Sequence, residues 1–215
     1  MGEPRVTTRM IAVASVAAAT ALAGTLVPAC SSKSKTTSLP STTSSGVATS
    51  TNGGSATSTS AAPTDYTTLL IQGSDISSAP PNVFTPVDPP VQNPDGMPGA
   101  AVVFKNSDDS NRIGDTVLIL TDAGAAANAM NGSVASLGNT VTGGNPQPIS
   151  VGNGGTMVSG TSPDKSKSVT VLLFTEGKAF VTLEFDGAPG DVVPGDYGLG
   201  VAQQQDGAVK NKLPS

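Results

Sequence analysis

Residues 168–185 read SVTVLLFTEGKAFVTLEF, two apolar runs of strand length joined by a tight polar turn at Glu176-Gly177. Valine, threonine and phenylalanine dominate both runs, and these side chains fit a pleated surface better than a helix. In the second run Phe180, Thr182 and Glu184 alternate with Val181, Leu183 and Phe185, which implies one buried and one wetter face. An antiparallel hairpin is therefore the frame against which the rest of the chain is read.

Working outward, residues 147–151 and 156–160 continue the strand pattern, separated by a turn at Gly152-Asn153-Gly154-Gly155 and followed by another at Ser162-Pro163-Asp164-Lys165. Further upstream, residues 100–104 and 115–120 pair as a second hairpin across the polar turn 106–111. Between these strand groups Thr121-Asp122 supplies a helix N-cap. Ala123, Ala127, Met130, Val134 and Leu137 then fall on one helical face. Gly124 and Gly132 each weaken that helix by up to about 1 kcal/mol relative to Ala, so tertiary packing must hold it.

Downstream, Pro194 stands where a terminal helix begins, with Tyr197, Val201 and Val209 on its inner side. A short helix or helical turn is expected within 66–71, 74–76 or both. The seven prolines of 79–98 then force extended or irregular chain. The pattern predicts an α+β domain: an antiparallel sheet of five or six strands, with the middle and the C-terminal helix packed on one face. No internal repeat is visible.

Composition narrows what such a domain can do. From Asp65 onward there are seven Lys/Arg against fifteen Asp/Glu, no basic run and few aromatics, which argues against nucleic-acid binding. The chain has no histidine and no tryptophan, which removes the commonest general base, the commonest zinc ligand and every catalytic triad that uses His. Its one cysteine, Cys30, leaves residues 65–215 without a disulfide. About 150 residues suffice for one ordinary hydrophobic core.

The N-terminal part reads as an export signal: Arg5 and Arg9, an Ala/Val-rich apolar run over 10–27, then small residues before Cys30. Its many alanines make the run less hydrophobic than a membrane-stop helix. Val27-Pro28-Ala29-Cys30 resembles the lipobox of bacterial lipoproteins, with a branched aliphatic residue three before the cysteine and a small one directly before it; Pro28 departs from the usual small residue. The resemblance implies that residues 1–29 are a signal peptide and that Cys30 is the lipidation site. It would carry a diacylglyceryl group and often an acylated amine, a two- or three-chain anchor to the outer side of the cell membrane.

Residues 30–64, mostly Ser and Thr with Gly, Ala and occasional Pro, lack the apolar surface to offset ordering entropy and read as a tether. Lys33 and Lys35 are ordinary solvated charges, and the Ser/Thr runs beside Pro40 and Pro63 suit O-glycosylation on composition alone. The whole layout resembles the small exported lipoproteins of mycobacteria and related actinobacteria, some of which carry sensor-like domains.

The candidate chemistry is thin. Asp108, Asp109 and Asp115 with Asn106 and Ser110 could offer oxygens to a cation, but the loop has neither the glycine at its sixth position nor the glutamate at its twelfth that an EF-hand needs. Gly152-x-Gly154-Gly155 lies between strands, so no helix N-terminus follows to hold a phosphate. A carboxylate hydrolase would need two of Asp108, Asp115, Glu176, Glu184 and Asp191 to converge, with Asp186 as a substitute. No catalytic, cofactor-binding or metal-binding residue is assigned.

The expectation is a non-enzymatic, membrane-anchored envelope lipoprotein whose domain binds an envelope protein, a cell-wall component or a lipid. An alternative is a carrier for an apolar ligand in a cavity between helix and sheet, with Met130 and Met157 among its inner residues. A carboxylate hydrolase ranks third.

Overall fold

The computed structural model describes residues 65–77 and 82–214. The expected signal peptide (1–29), the expected lipidation site Cys30 and the expected tether (30–64) lie outside the described residues. The architecture is α+β, built on one open, fully antiparallel sheet of eight strands. These are β1 (Thr85–Pro86), β2 (Val91–Gln92), β3 (Gly99–Lys105), β4 (Arg112–Ile119), β5 (Gln147–Ile149), β6 (Gly155–Thr161), β7 (Ser168–Glu176) and β8 (Ala179–Gly187). They lie in the order β1-β3-β4-β8-β7-β6-β5, with β2 pairing the other end of β3. Three helices accompany them: α1 (Gly73–Ile76), α2 (Ala123–Ser136) and α3 (Gly195–Lys212).

The strand count exceeds the expected five or six because the proline-rich segment contributes β1 and β2. Proline is tolerated there because both are outer strands, where a missing N–H breaks no interior ladder. The segment hangs on β3 through its other amides: Val87 N–H donates to the Val103 carbonyl at 2.8 Å and Asn93 N–H to that of Gly99 at 2.8 Å.

The expectation that both long helices share one face is overturned: α3 and α2 lie on opposite faces. β7 is the reason. Its run Val169-Thr170-Val171-Leu172-Leu173-Phe174 is buried on both sides, so it needs two covers. Leu172 and Phe174 join Leu183, Phe185, Phe104 and Val117 in a core under α3, where Val201, Ala202 and Val209 close down. Val169, Val171 and Leu173 face the other way, with Val158 and Phe180, beneath Ala126 and Leu137.

α2 begins as read, with the Asp122 carboxylate accepting from the Ala125 amide at 2.8 Å. Met130, Val134 and Leu137 face inward as expected, and only the first turn differs: Ala126 is fully buried, whereas Ala123 is exposed. The small Ala126 lets the helix approach β7 closely. Among the described residues no helix is long and apolar enough to cross a membrane.

The chain leading into the sheet, the 3-10 turn Tyr66–Leu69 followed by α1, packs on the α3 side through Leu69, Leu70, Ile71 and Ile76. Three side chains from α3 hold it, among them Lys212, which donates to the Thr68 carbonyl at 2.6 Å. Gln205, fully buried, donates to the Leu69 carbonyl at 2.8 Å and accepts from the Ile71 amide at 2.9 Å. Tyr197 donates its hydroxyl to the Ile76 carbonyl at 2.8 Å, its ring edge-on to Phe185.

Candidate functional site

β3, β4 and β8 have their α3-side residues sealed, but α2 covers only part of their other face. What is left is a half-open groove of about 380 Å³. This falls within the range of about 300–1,000 Å³ typical of small-molecule sites. One wall is the C-terminal part of α2 and its exit, with Ser136, Leu137 and Asn139; the other is the loop Pro94, Asp95 and Met97.

The floor follows the β4–β8 ladder, whose opposed pairs on this face are Leu118 with Phe180, Thr116 with Thr182, Gly114 with Glu184, and Arg112 with Asp186. Polarity therefore rises along the groove from hydrocarbon through hydroxyl to charge. At about 3.4 Å per residue, the six-residue step from Leu118 to Arg112 spans roughly 20 Å.

Gly114 deepens the middle of this floor. A β-carbon built there would meet nothing nearer than the Glu184 side chain and carbonyl at 3.9 Å, so the protein's own packing does not require the glycine. A glycine inside a strand weakens it and often marks a place where something approaches the backbone closely. The opposite wall turns tightly: Asn93 and Asp95 hold φ of 53° and 52°, the left-handed region that Asn and Asp adopt more readily than other residues with a side chain.

The charged end is unevenly balanced. Lys167 ion-pairs with Asp186 and lies 3.7 Å from Glu184. Arg112 lies 3.0 Å from Asp109, outside the groove. Burial, then the neighbouring Asp186 charge, pushes the Glu184 carboxyl above its ordinary value, and Lys167 only partly opposes this. Asp186 Oδ1 is buried with no hydrogen-bond partner.

The sequence candidates scatter. Asp108 accepts from the Ser110 amide and hydroxyl within its own turn, Asp109 pairs with Arg112, and Asn106 bonds Ser110 and the Asn111 amide; no metal-ligand cluster occurs among the described residues. Glu176 sits at the end of β7 beside Lys210, at 3.5 Å. Asp191 is exposed in the loop after β8. Of the five carboxylates weighed for hydrolysis only Glu184 lines the groove, and its companion there is Asp186. The Gly152 segment forms the turn between β5 and β6, as read.

Met130 and Met157 do not line the groove; Met157 packs under α3 instead. Gly114, Thr116 and Thr182 were missed as site residues, although an isolated glycine inside an apolar strand pattern is itself a signal of close approach.

Asp115 lies on the other side of the same strand, fully buried and with neither carboxylate oxygen hydrogen-bonded. Burial pushes its carboxyl up to about 8, against a smaller downward pull from the Ile71 amide, which donates to Gln205. It is separated from the groove by the sheet.

No protein-family model matches this chain, and no curated protein matches it. Among solved structures it is similar to the extracellular domain of PknH from Mycobacterium tuberculosis, with 12% identity and a TM-score of 0.44 over 67% of this chain and 95% of that one.

Proposed function

We propose that this protein is a lipid-anchored binding protein working outside the cytoplasm, in which a non-catalytic α+β domain takes a small, partly apolar ligand between α2 and the sheet. The lipobox-like residues 27–30 support the anchor at Cys30, and residues 30–64 would let the domain stand off the membrane. Gly114 carries the ligand reading. A central strand has given up a side chain that its surroundings would accommodate, at the floor of a groove of small-molecule size with a graded lining.

This places the carrier reading ahead of a protein-docking one, since the groove is a concave site rather than a flat patch. The full chain, purified from its native membrane, is compared with Gly114→Leu. Intact mass should place an acylated Cys30 first, and organic extraction should release a non-covalent small molecule in stoichiometric amount from the wild type alone. The same extract from both proteins would sink the groove reading, and an unmodified Cys30 would sink the anchor.

A further inference from the structure

We infer that the ligand of this groove is a cationic amphiphile, its alkyl part lying over Leu118 and Phe180 and its positive head facing Glu184 and Asp186. The inference rests on the groove being a ligand site and adds what kind of ligand it selects.

The apolar end comes first. Leu118 and Phe180 face each other across β4 and β8, and Val171, Leu173 and Leu137 extend the same surface toward α2. An extended hydrocarbon is the shape that a floor set by a strand ladder accepts, and its burial there removes apolar surface from water on both partners.

The direction of the chain follows from the ladder. Beyond the threonine pair, Gly114 lowers the floor beside Glu184, its register partner, by the side chain it lacks. The head is placed at this end because the lining carboxylates Glu184 and Asp186 lie there. Three carboxylates line the groove, those of Asp95, Glu184 and Asp186, against one cation, Arg112, which shares the Asp109 carboxylate with Lys105. Lys167 is shared between Glu184 and Asp186, which leaves one negative charge of that trio uncompensated.

Burial is the main cause of the raised Glu184 carboxyl, and repulsion from the neighbouring Asp186, larger than the attraction of Lys167, adds to it. A positive head relieves this repulsion, whereas a phosphate or sulfate head adds to it. In a groove walled by protein such charge selectivity is screened less than on an open surface.

The test uses the full chain, titrated calorimetrically with decyltrimethylammonium, decyl maltoside and decyl sulfate, each below its micelle concentration. The ammonium should bind roughly tenfold more tightly than the sulfate, the effect of one half-exposed charge turning from attraction to repulsion. The double variant Glu184→Gln, Asp186→Asn should reverse the preference, because Lys167 is then unopposed. Gly114→Leu should abolish binding of all three, with Thr182→Trp as an independent block should that variant melt early.

A sulfate that binds the wild type as tightly as the ammonium, while remaining sensitive to the blocking variants, overturns the cationic inference and leaves the groove reading in place. Binding that neither blocking variant weakens overturns both.

Discussion

The two faces of the sheet are made by the same strands and behave as different materials. Along β4 the residues facing α3 are Ile113, Asp115, Val117 and Ile119, all buried; those facing α2 are Arg112, Gly114, Thr116 and Leu118, all partly accessible. Most of the large rings also lie on the α3 side, with Phe104, Phe174 and Phe185 fully enclosed, whereas Phe180 is buried on the α2 side. Alternation at a period of two thus assigns stability to one face and leaves the other free to keep a groove that close packing would otherwise fill. A site can be maintained on a sheet this way because its opposite face bears most of the hydrophobic burial.

That division is tested hardest by truncating one side chain on each face. Phe174→Ala, on the α3 side, should cost about 3–5 kcal/mol through lost burial and the cavity left behind. Thr182→Ala, one strand away on the groove face, should stay within about 0.5 kcal/mol, as for a site with accessible surroundings. Urea unfolding of the full chain measures both. Equal losses would mean that the groove face is part of the stabilising core.

Asp115 sharpens the same contrast by titration. Its folded-state pKa of about 8 lies above the ordinary 3.8, so the fold prefers the neutral carboxyl. The unfolded chain ionises first. Stability is therefore full below 3.8, is lost as pH rises from there toward about 8, and falls no further above it. The slope reaches about 1.4 kcal/mol per pH unit for one group. Asp115→Asn, which keeps the shape and cannot ionise, should flatten that part of the stability curve.

Glu184 contributes a slope of the same sign from the groove side, and the difference between wild type and Asp115→Asn isolates the buried group. Asp164, held down to about 2 by the Ser162 hydroxyl and Ser166, acts in the opposite sense and in a separate window: its contribution is lost as pH falls from 3.8 toward 2. Identical slopes in wild type and Asp115→Asn would show that water reaches the α3 face.

What the sequence made legible follows from this asymmetry. The six longer strands, the Asp122 cap and the inward Val201 and Val209 were readable because each is specified locally, by periodicity or by one capping side chain. The two-sided burial of β7 is written in its unbroken apolar run, whereas the alternation of the neighbouring β8 implies one wetter face, and the expectation of both helices on one face follows β8 rather than β7. The groove depends on the register that sets Gly114 against Glu184 and on how far α2 reaches across the sheet, and neither is a property of any short segment. Asp115 was weighed as a cation ligand because strand β4 was started at that residue, whereas the strand begins at Arg112 and buries it.

The smallest effect concerns the wall between the two roles. α2 has few large apolar side chains, only Met130 and Val134 beside Gly124, Gly132 and its alanines, and only Ala126 within it is fully enclosed. Its N-terminus is fixed by the Asp122 carboxylate on the Ala125 amide, so Asp122→Ala should cost about 1 kcal/mol. Where that loss is felt separates two pictures of the molecule. If α2 is a loosely held wall, hydrogen exchange should speed up within residues 123–136 while the β7 and β8 amides keep their wild-type protection, because the helix opens without the sheet. If every core amide loses protection by the same factor, α2 and the sheet unfold as one unit, and the groove is then as rigid as the core behind it. The first outcome is expected, since the core beneath α3 contains no residue of α2.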